Sequence, residues 1–326
     1  MTRRIIVRTG ARLHLGFYSF RSDELGRAYG GLGVAVEEPR VEIAVWECSS
    51  PRVECSSSSV AELAREVVSA LGADVCVSFR SYIPRHVGLG STTQTVLSVA
   101  LATLRILGVD ADPWSVAAAF GRGPVSGIGI ATFLLGGLVV DSGVKLSALR
   151  KYPLIDATDL PRPIARVELP ESWRFVIVVP HGVTGLEERE ELPILSEPRA
   201  LGKEREYELL KEVFLHLLPA ATQGDAEDFG SALTKVQRIV GEYFSGAQGG
   251  IFAEPYGELI ARALESCGSL CVGQSSWGPT MYGLSPSPEA ARQLANCVES
   301  KLSSAGVRAQ ILVTAPRNRG FEILEE

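Results

Sequence analysis

The glycine-rich stretch GLGSTTQ at residues 88–94 constrains the fold most, because it joins two segments of different periodicity. Residues 75–79 alternate apolar with polar or small side chains and predict a strand, whereas the apolar residues of 96–107 recur every three or four positions and predict a buried helix. The first N–H groups of a helix have no intrahelical partner and carry partial positive charge, so this helix start can bind an anion. The residues predicted to hold a phosphate or pyrophosphate here are Gly88, Gly90, Ser91, Thr92 and Thr93.

An ordinary helix start explains the same residues without a ligand, with Ser91 as the N-cap after a glycine turn. Nucleotide-binding motifs do not decide between the two interpretations. The P-loop pattern requires a lysine before its serine or threonine, and the dinucleotide fingerprint requires glycine or alanine where Thr93 stands. Local physics therefore leaves both alternatives open.

The overall charge shows that any anion site must be local. The chain has 326 residues, a formal net charge of −6 and a pI near 5.5, so it has no general attraction for nucleic acid or anionic membranes. This length favours two domains that share a cleft. The first residues lack the apolar region of a signal peptide, and the uncharged run 123–140 contains five glycines and a proline, so we expect a cytoplasmic protein without a membrane partner.

The six cysteines show no metal-ligand pattern. They lack a paired C-x-x-C arrangement, so we expect small core residues rather than a zinc site. The chain contains two methionines and two asparagines, which is typical of heat-adapted proteins that avoid labile side chains. Proteins of hyperthermophiles are an exception to the reducing cytosol, so an intracellular disulfide stays open as an alternative.

The first predicted strand displays a cation and an imidazole on one face. Over residues 5–17 the apolar side chains, including Phe17, share one face, so Arg12 and His14 point to the other. This pair predicts a wall for a polar ligand. A solvated sheet edge with an incidental histidine is the alternative.

Two more glycine-rich loops are predicted. Residues 26–33 form a glycine-dense loop in which Arg27 indicates close approach of the backbone to a ligand, although a β-bulge or hairpin needs only one or two glycines. Residues 121–137 combine small residues with helical pieces, and Arg122 and Ser126 are a second pair of candidate anion contacts. A surface arginine and a helix cap explain that pair equally well.

The second half of the chain predicts a separate sandwich of helices and strands. Prolines and mixed charges break every periodicity between residues 146 and 170, so we predict domains at 1–165 and 166–326. A nearly continuous apolar strand over 173–180 precedes several helical patterns and a last strand over 309–314. This alternation suits an α+β sandwich.

Two stretches of the second half carry polar groups that can reach a cleft. The turn GQSSWGPT at residues 273–280 is too long and too polar for a simple reversal, and its amides and hydroxyls can meet a phosphate from the opposite domain. The acidic run 187–191 is a solvated face or, if its loop folds over the cleft, supplies Glu187 to a metal.

Together these strings resemble the three glycine-rich motifs of the GHMP kinase superfamily. ARLHLGF looks like its first strand, GLGSTTQ like its central phosphate-binding motif and GQSSWGPT like its third motif. With YGGLGVAVEEP, GRGPVSGIG and GGLVVDSG, they are similar more specifically to the archaeal β-ribofuranosylaminobenzene 5′-phosphate synthases, over residues 8 to 284. The resemblance implies an α+β fold with a ribosomal-protein-S5-like N-terminal domain and a ferredoxin-like C-terminal α/β sandwich.

One departure separates a synthase from a kinase. In the kinases the helix after the second phosphate loop carries an Asp in a Ser-Gly-Ile-Asp context, as base or electrostatic partner for the accepting hydroxyl, whereas this chain has Gly129 there. Glycine has no proton acceptor, and general-base assistance contributes about 10²–10⁴-fold. Arg12 and His14 also stand where many relatives have lysine and asparagine.

The resemblance implies a reaction that moves no phosphoryl group. The synthases join C1 of phosphoribosyl pyrophosphate to the carboxylate-bearing ring carbon of 4-aminobenzoate or 4-hydroxybenzoate, and release pyrophosphate and carbon dioxide, in methanopterin biosynthesis. The resemblance also implies Mg²⁺, no organic cofactor and a homodimer. The alternatives are an ATP-dependent small-molecule kinase with a relocated base and a ligand-binding protein without activity.

The predicted site residues follow from this resemblance. The predicted catalytic residues are Arg12, His14 and Arg122. The additional predicted phosphate contacts are Ser126 and Gly127. The predicted contacts to the sugar phosphate or the aryl group are Arg27, Tyr29, Gln274, Ser275, Ser276, Trp277 and Gly278. Trp277 or Tyr29 is expected to stack on the aromatic ring. The metal candidates are Asp141 and Glu187.

Overall fold

The fold consists of two sheets with helices packed on them. The computed structural model describes residues 3–151, 155–185 and 188–326. The larger sheet has eight strands, which are β1 (Arg4–Ser22), β2 (Arg27–Glu47), β3 (Arg52–Glu54), β4 (Val75–Ser81), β5 (Leu138–Asp141), β6 (Val144–Lys145), β7 (Pro163–Val167) and β12 (Glu322–Glu325). They run in the order β12-β1-β2-β4-β3, with β5 and β6 also paired to β2 and β7 paired to β5.

Helices of the first half pack on this larger sheet. They are α1 (Ser58–Ala70), α2 (Ser91–Ile106), α3 (Pro113–Ala119), α4 (Ile128–Leu135) and α5 (Leu146–Leu149). The helix predicted after residue 90 is α2, and it packs against β1, β2 and α1. The amino-terminal end of α2 thereby comes close to the first strand.

The smaller sheet contains four antiparallel strands in the order β11-β8-β10-β9. Its strands are β8 (Arg174–Pro180), β9 (Val272–Gln274), β10 (Met281–Ser285) and β11 (Ala309–Thr314). The helices of this half are α6 (Glu188–Ser196), α7 (Lys203–Leu210), a π-helical segment (Lys211–Leu217), α8 (Leu218–Gln223), α9 (Ala226–Gln248), α10 (Gly257–Ser266) and α11 (Pro288–Ser304).

Strand β8 is buried on both faces, which explains its nearly continuous apolar sequence. Phe175 and Ile177 belong to the large core that continues into the first half of the chain, whereas Val176 and Val178 pack in a second core with α10 and α11. A two-domain α+β architecture is therefore confirmed, with α9 lying beside β1 on the side of the large core.

The glycine-dense segment predicted as a loop is instead the start of β2, so that prediction is wrong. Gly31 and Gly33 pair with β1 in an antiparallel register. A Cβ on Gly33 would lie 2.3 Å from Cγ2 of Ile128, so α4 could not pack on the hairpin if this residue had a side chain. The glycines permit close packing between secondary-structure elements rather than a turn.

The last strand returns to the first sheet. Residues of β12 pair with Ile5 to Arg8 of β1, and the predicted boundary at residue 165 falls inside β7, which is also a strand of the larger sheet. Within the described residues, no helix has both the length and the apolar character that crossing a membrane requires.

Four of the six cysteines form disulfide bonds instead of serving as isolated core residues. Cys48 is bonded to Cys76, and Cys267 to Cys297, across 28 and 30 residues of sequence. Cys271 is a free, buried thiol, as predicted for a core cysteine. The second disulfide ties α10 to α11 on the outer face of the smaller sheet.

Replacing both Cys267 and Cys297 with serine should lower the free energy of unfolding by about 3–4 kcal/mol, because the unfolded chain regains the entropy of a loop of this length. Urea denaturation of the oxidised protein and of the double variant measures the difference. Unchanged stability would show that the disulfide does not restrict the unfolded chain.

Candidate active site

The start of α2 opens into a cleft of about 850 Å³ lined by residues from both halves of the chain. Gly90 is the N-cap, in a left-handed conformation with φ 76°, so the alternative in which Ser91 is the N-cap is wrong. Within the described part of the chain, no side chain caps the first N–H groups of this helix. Those groups and the helix dipole are available to an anion in the cleft. The predicted phosphate contacts that line it are Gly88, Gly90, Ser91, Thr92 and Thr93.

Arg12 lies against this helix start. Its Nη1 donates to the carbonyl of Gly88 at 2.8 Å, and its buried Nε has no hydrogen-bond partner among the described residues. Burial lowers the pKa of Arg12 to about 10, although the nearby carboxylate of Glu191 opposes this shift. The guanidinium is still charged at neutral pH but poorly solvated, so an anion in the cleft would stabilise it.

The third glycine-rich loop packs directly on the phosphate loop. The Ser275 hydroxyl accepts from the N–H of His14 at 2.9 Å and donates to the carbonyl of Gly88 at 2.7 Å. A Cβ on Gly278 would lie 2.3 Å from the backbone N of Gly88. Ser275 is fully buried, so its predicted role as a substrate contact is wrong: it holds three backbone segments together. Gly278 and Ser276 line the cleft as predicted.

His14 is neutral and has a defined tautomer. Its Nδ1 accepts from the N–H of Gly16 at 3.2 Å, so the proton lies on Nε2, which donates to the Ser126 hydroxyl at 3.1 Å. Burial, together with the charge of Arg12, lowers the pKa of His14 to about 3. The imidazole therefore serves as a hydrogen-bond donor in a fixed orientation and not as a cation.

Asp141 completes this hydrogen-bond chain as a structural group. Its carboxylate accepts from the N–H groups of Gly31, Gly127 and Gly143 at 2.8–2.9 Å and from the Ser126 hydroxyl at 3.3 Å. Burial raises its pKa to about 6 against the effect of these four bonds. The side chain has no exposed surface, so the prediction of Asp141 as a metal ligand is wrong. The N–H of Gly127 donates to this carboxylate and is therefore not available to a phosphate. The predicted phosphate contact of Gly127 is wrong.

An aromatic cavity adjoins the cleft. Helix α9 supplies one wall, with residues at helical spacing, namely Gln237, Val240, Gly241, Phe244 and Gln248. The opposite wall includes Phe17, the predicted Gln274 and Trp277, whose ring meets Phe244 edge-on at 4.9 Å. The cavity holds only about 50 Å³ and adjoins the cleft, because His14, Phe17 and Ser276 are in the walls of both. A ring bound in the cavity would therefore lie next to a ligand of the cleft.

Two predicted substrate contacts do not reach either cavity. Tyr29 is fully buried in the core, 5.1 Å from the ring of Phe17, and cannot stack on a ligand. Arg27, at the first position of β2, is absent from the lining of both cavities. Arg122 and Ser126 line the cleft, where their predicted roles place them. The metal candidate Glu187 lies outside the described residues.

Sequence reasoning missed the wall formed by α9 and misplaced Phe17. Register shifts in β1 at residues 14–16 and 17–19 break the simple alternation, so Phe17 and His14 line the same cavity although alternation puts them on opposite faces. The sequence of α9 contained a signal for this wall, because the polar Gln237 interrupts a helix face that is otherwise apolar and buried.

The oxygen atoms of the cleft fit a magnesium ion that arrives with its phosphate ligand. Mg²⁺ in such sites keeps several waters and binds substrate phosphates with one or two carboxylates. The lining of the cleft includes the carboxylates of Glu62, Glu66 and Glu191 and the hydroxyl of Ser91. Over the described ranges, no group of three or more His, Cys, Asp or Glu side chains forms a cage of its own.

This fold and this phosphate loop are those of the GHMP kinase class. The family model for GHMP kinases N terminal domain matches residues 56–137, and that for GHMP kinases C terminal matches residues 217–304. Homoserine kinase from Cytophaga hutchinsonii aligns with a TM-score of 0.68 and 17% identity, over 98% of this chain and 97% of its own. Mevalonate pyrophosphate decarboxylase from Streptococcus pyogenes aligns with a TM-score of 0.64 and 11% identity, over 97% of both chains. At these identities the similarity establishes the fold alone.

Sequence comparison narrows the class to one family. The beta-ribofuranosylphenol 5′-phosphate synthase of Archaeoglobus fulgidus is 31% identical over 97% of this chain and 98% of its own length. The protein of the same name from Methanothermobacter thermautotrophicus is 31% identical over 98% of both chains. The chain belongs to the beta-ribofuranosylphenol 5′-phosphate synthase family, as the motif resemblance predicted.

Ser91→Ala should weaken the binding of inorganic pyrophosphate about 10- to 100-fold, because a hydrogen bond to a charged ligand contributes about 1.5–3 kcal/mol. Isothermal titration calorimetry measures the affinity. The matched control is Ser98→Ala, which removes a buried hydroxyl of the same helix that has no partner among the described residues. Equal effects of the two substitutions on affinity would contradict a phosphate contact at Ser91.

His14→Gln should make the protein less sensitive to acid. The unfolded chain protonates this histidine near pH 6.5 and the folded chain only near pH 3, so the stabilising contribution of His14 is lost as the pH falls through this window. By pH 4.5 this contribution has fallen by about 2–3 kcal/mol relative to pH 7. Asp141, whose pKa is raised by burial, acts in the opposite direction in both proteins, so the comparison is between wild type and variant. Urea unfolding at the two pH values tests this, with the exposed His181→Gln as the control. The same acid sensitivity in wild type and His14→Gln would refute the assignment.

Proposed function

We propose that this chain forms a ribofuranosylbenzene 5′-phosphate from phosphoribosyl pyrophosphate and 4-hydroxybenzoate or 4-aminobenzoate, with release of pyrophosphate and carbon dioxide, as a step of methanopterin biosynthesis. The observation that carries the proposal is an anion-binding cleft that adjoins a small aromatic cavity, with His14, Phe17 and Ser276 in the walls of both. A substrate pair consisting of a phosphorylated sugar and an aromatic ring matches the two compartments.

The helix start at Ser91 and the Arg12 guanidinium are assigned to the pyrophosphate. Both present positive charge that is preformed, because the helix dipole and the buried arginine need no rearrangement to face an anion. Arg122 and Ser126 line another part of the same cleft and are assigned to the 5′-phosphate. A magnesium ion, when bound, would neutralise charge on the pyrophosphate, and Glu62, Glu66 and Ser91 are the groups proposed to hold it.

The proposed reaction needs leaving-group stabilisation and orientation more than a base. The bond between C1 of the ribose and the pyrophosphate oxygen breaks, and its electron pair leaves with pyrophosphate. The ring carbon that bears the carboxylate then bonds to C1. The bond from that ring carbon to the carboxylate breaks last, and its electron pair restores the aromatic ring while carbon dioxide departs. No proton is gained or lost overall. Holding the ring against C1 supplies most of the remaining rate enhancement.

The residue at the start of α4 agrees with a reaction that does not deprotonate an alcohol. Gly129 lies at the start of α4, and a Cβ at this position would be 3.4 Å from Thr93, one of the residues that line the cleft. A carboxylate placed there would lie beside Thr93. Glycine removes it, and this disfavours the alternative of an ATP-dependent kinase.

Incubation with phosphoribosyl pyrophosphate, Mg²⁺ and carboxyl-labelled 4-hydroxybenzoate should release labelled carbon dioxide in proportion to the pyrophosphate formed. Omission of phosphoribosyl pyrophosphate is the control and should abolish release. Absence of release from both 4-hydroxybenzoate and 4-aminobenzoate would refute the proposal, and phosphorylation of an alcohol at the expense of ATP would support the kinase alternative.

A further inference from the structure

Gln237 of α9 lies buried in the wall of the aromatic cavity with its amide held in one orientation. Its Nε2 donates to the carbonyl of Leu15 at 2.8 Å, and its Oε1 accepts from the N–H of Gln274 at 2.7 Å. Because a carbonyl only accepts and a backbone N–H only donates, these partners determine which end of the amide is nitrogen. The side chain is 4% exposed.

One hydrogen of the Gln237 amide has no acceptor among the described residues. A side-chain amide carries two N–H donors, and the carbonyl of Leu15 accepts only one of them. The Nε2 atom lies 3.4 Å from the position that a Cβ on Gly16 would occupy, and Gly16, with φ 106°, also lines the cavity. A side chain on residue 16 would meet both this buried donor and Val240, and glycine avoids these contacts.

In the other two glutamines of the cavity, both N–H groups of the side-chain amide are already hydrogen-bonded. The Nε2 of Gln274 donates to Oε1 of Gln248 and to the carbonyl of Ser276. The Nε2 of Gln248 donates to the carbonyls of Gly250 and Ile251. When partners within the described residues are counted, Gln237 is the one of these three amides that has an N–H donor left for a ligand.

We propose that Gln237 recognises the para oxygen of the aromatic acceptor and selects a hydroxyl-bearing ring over an amino-bearing one. This inference rests on the proposed function. A phenolic oxygen accepts an N–H hydrogen bond well, whereas the lone pair of an arylamine is delocalised into its ring and its N–H groups would face the N–H of Gln237. A buried donor left without an acceptor destabilises the complex, so the amine is disfavoured.

The same contact sets the direction of the ring. Gly16 and His14 both line the cavity, and Nε2 of Gln237 lies on the Gly16 side. With its oxygen beside Gly16 and Gln237, the ring extends toward His14, and the carboxylate-bearing carbon enters the cleft where the sugar binds. The small volume of the cavity fits an inserted ring end better than a whole substrate.

Calorimetry with the full chain, Mg²⁺ and inorganic pyrophosphate, but no phosphoribosyl pyrophosphate, tests the proposal without turnover. Wild type should bind 4-hydroxybenzoate about 10-fold more tightly than either benzoate or 4-aminobenzoate. Gln237→Met, which keeps the length of the side chain and removes the donor, should reduce this preference to about twofold or less while benzoate affinity changes little.

The matched control is Thr234→Val, one turn earlier on α9. The Thr234 hydroxyl accepts from the N–H of Val272 at 3.2 Å, so it joins the same helix to the same strand as Gln237 does but does not line the cavity. This substitution should lower stability and leave the ligand preference at the wild-type ratio. A merely structural role for Gln237 predicts the same ratio in both variants.

Three results would overturn the inference. They are equal affinity of wild type for 4-hydroxybenzoate and benzoate, an unchanged preference in Gln237→Met, and no binding of any benzoate to the wild-type complex with pyrophosphate. Failure of carbon dioxide release would instead count against the proposed reaction, since a preference for the hydroxyl can be measured in a protein that does not turn over.

Discussion

The site depends on one buried hydroxyl, that of Ser275. It joins the N–H of His14 on β1 to the carbonyl of Gly88 in the phosphate loop, while Gly278 packs on the backbone of Gly88. Three backbone segments that are far apart in sequence meet here around one small side chain. The cleft therefore has walls made of hydrogen-bonded backbone, and its donors are in position before any ligand arrives. Arg12 adds its charge to the same place by bonding to the same carbonyl.

Burial defines the electrostatics of this region. It lowers the pKa of Arg12 and His14 and raises that of Asp141, so each charged form is disfavoured to some degree. The outcome differs among the three because Asp141 has four hydrogen bonds to compensate, His14 loses its charge at neutral pH, and Arg12 keeps a charge with few partners. A site with one under-solvated cation and a neutral imidazole is suited to an incoming anion rather than to proton abstraction.

Most of the fold and part of the cleft lining could be predicted from sequence. Local pattern was sufficient for α2 and its glycine turn, for β8 and for β11, because periodicity and turn residues determine these elements nearly alone. Local pattern was insufficient where tertiary packing determines the role of a residue. The glycines near Gly33 allow close packing of α4 on the hairpin. Ser275 and Asp141 form hydrogen bonds with backbone groups of segments that are remote in sequence. The bulges in β1 bring Phe17 beside His14, and no local rule places α9 across from them.

The return of β12 to the first sheet has a consequence for the order of folding during synthesis. The four residues of this strand pair with the edge of β1, yet they leave the ribosome after every other strand of both sheets. Throughout translation that edge presents unpaired N–H and C=O groups, which are a template for pairing with other chains. This edge of β1 is thus covered only when the whole second half has been made.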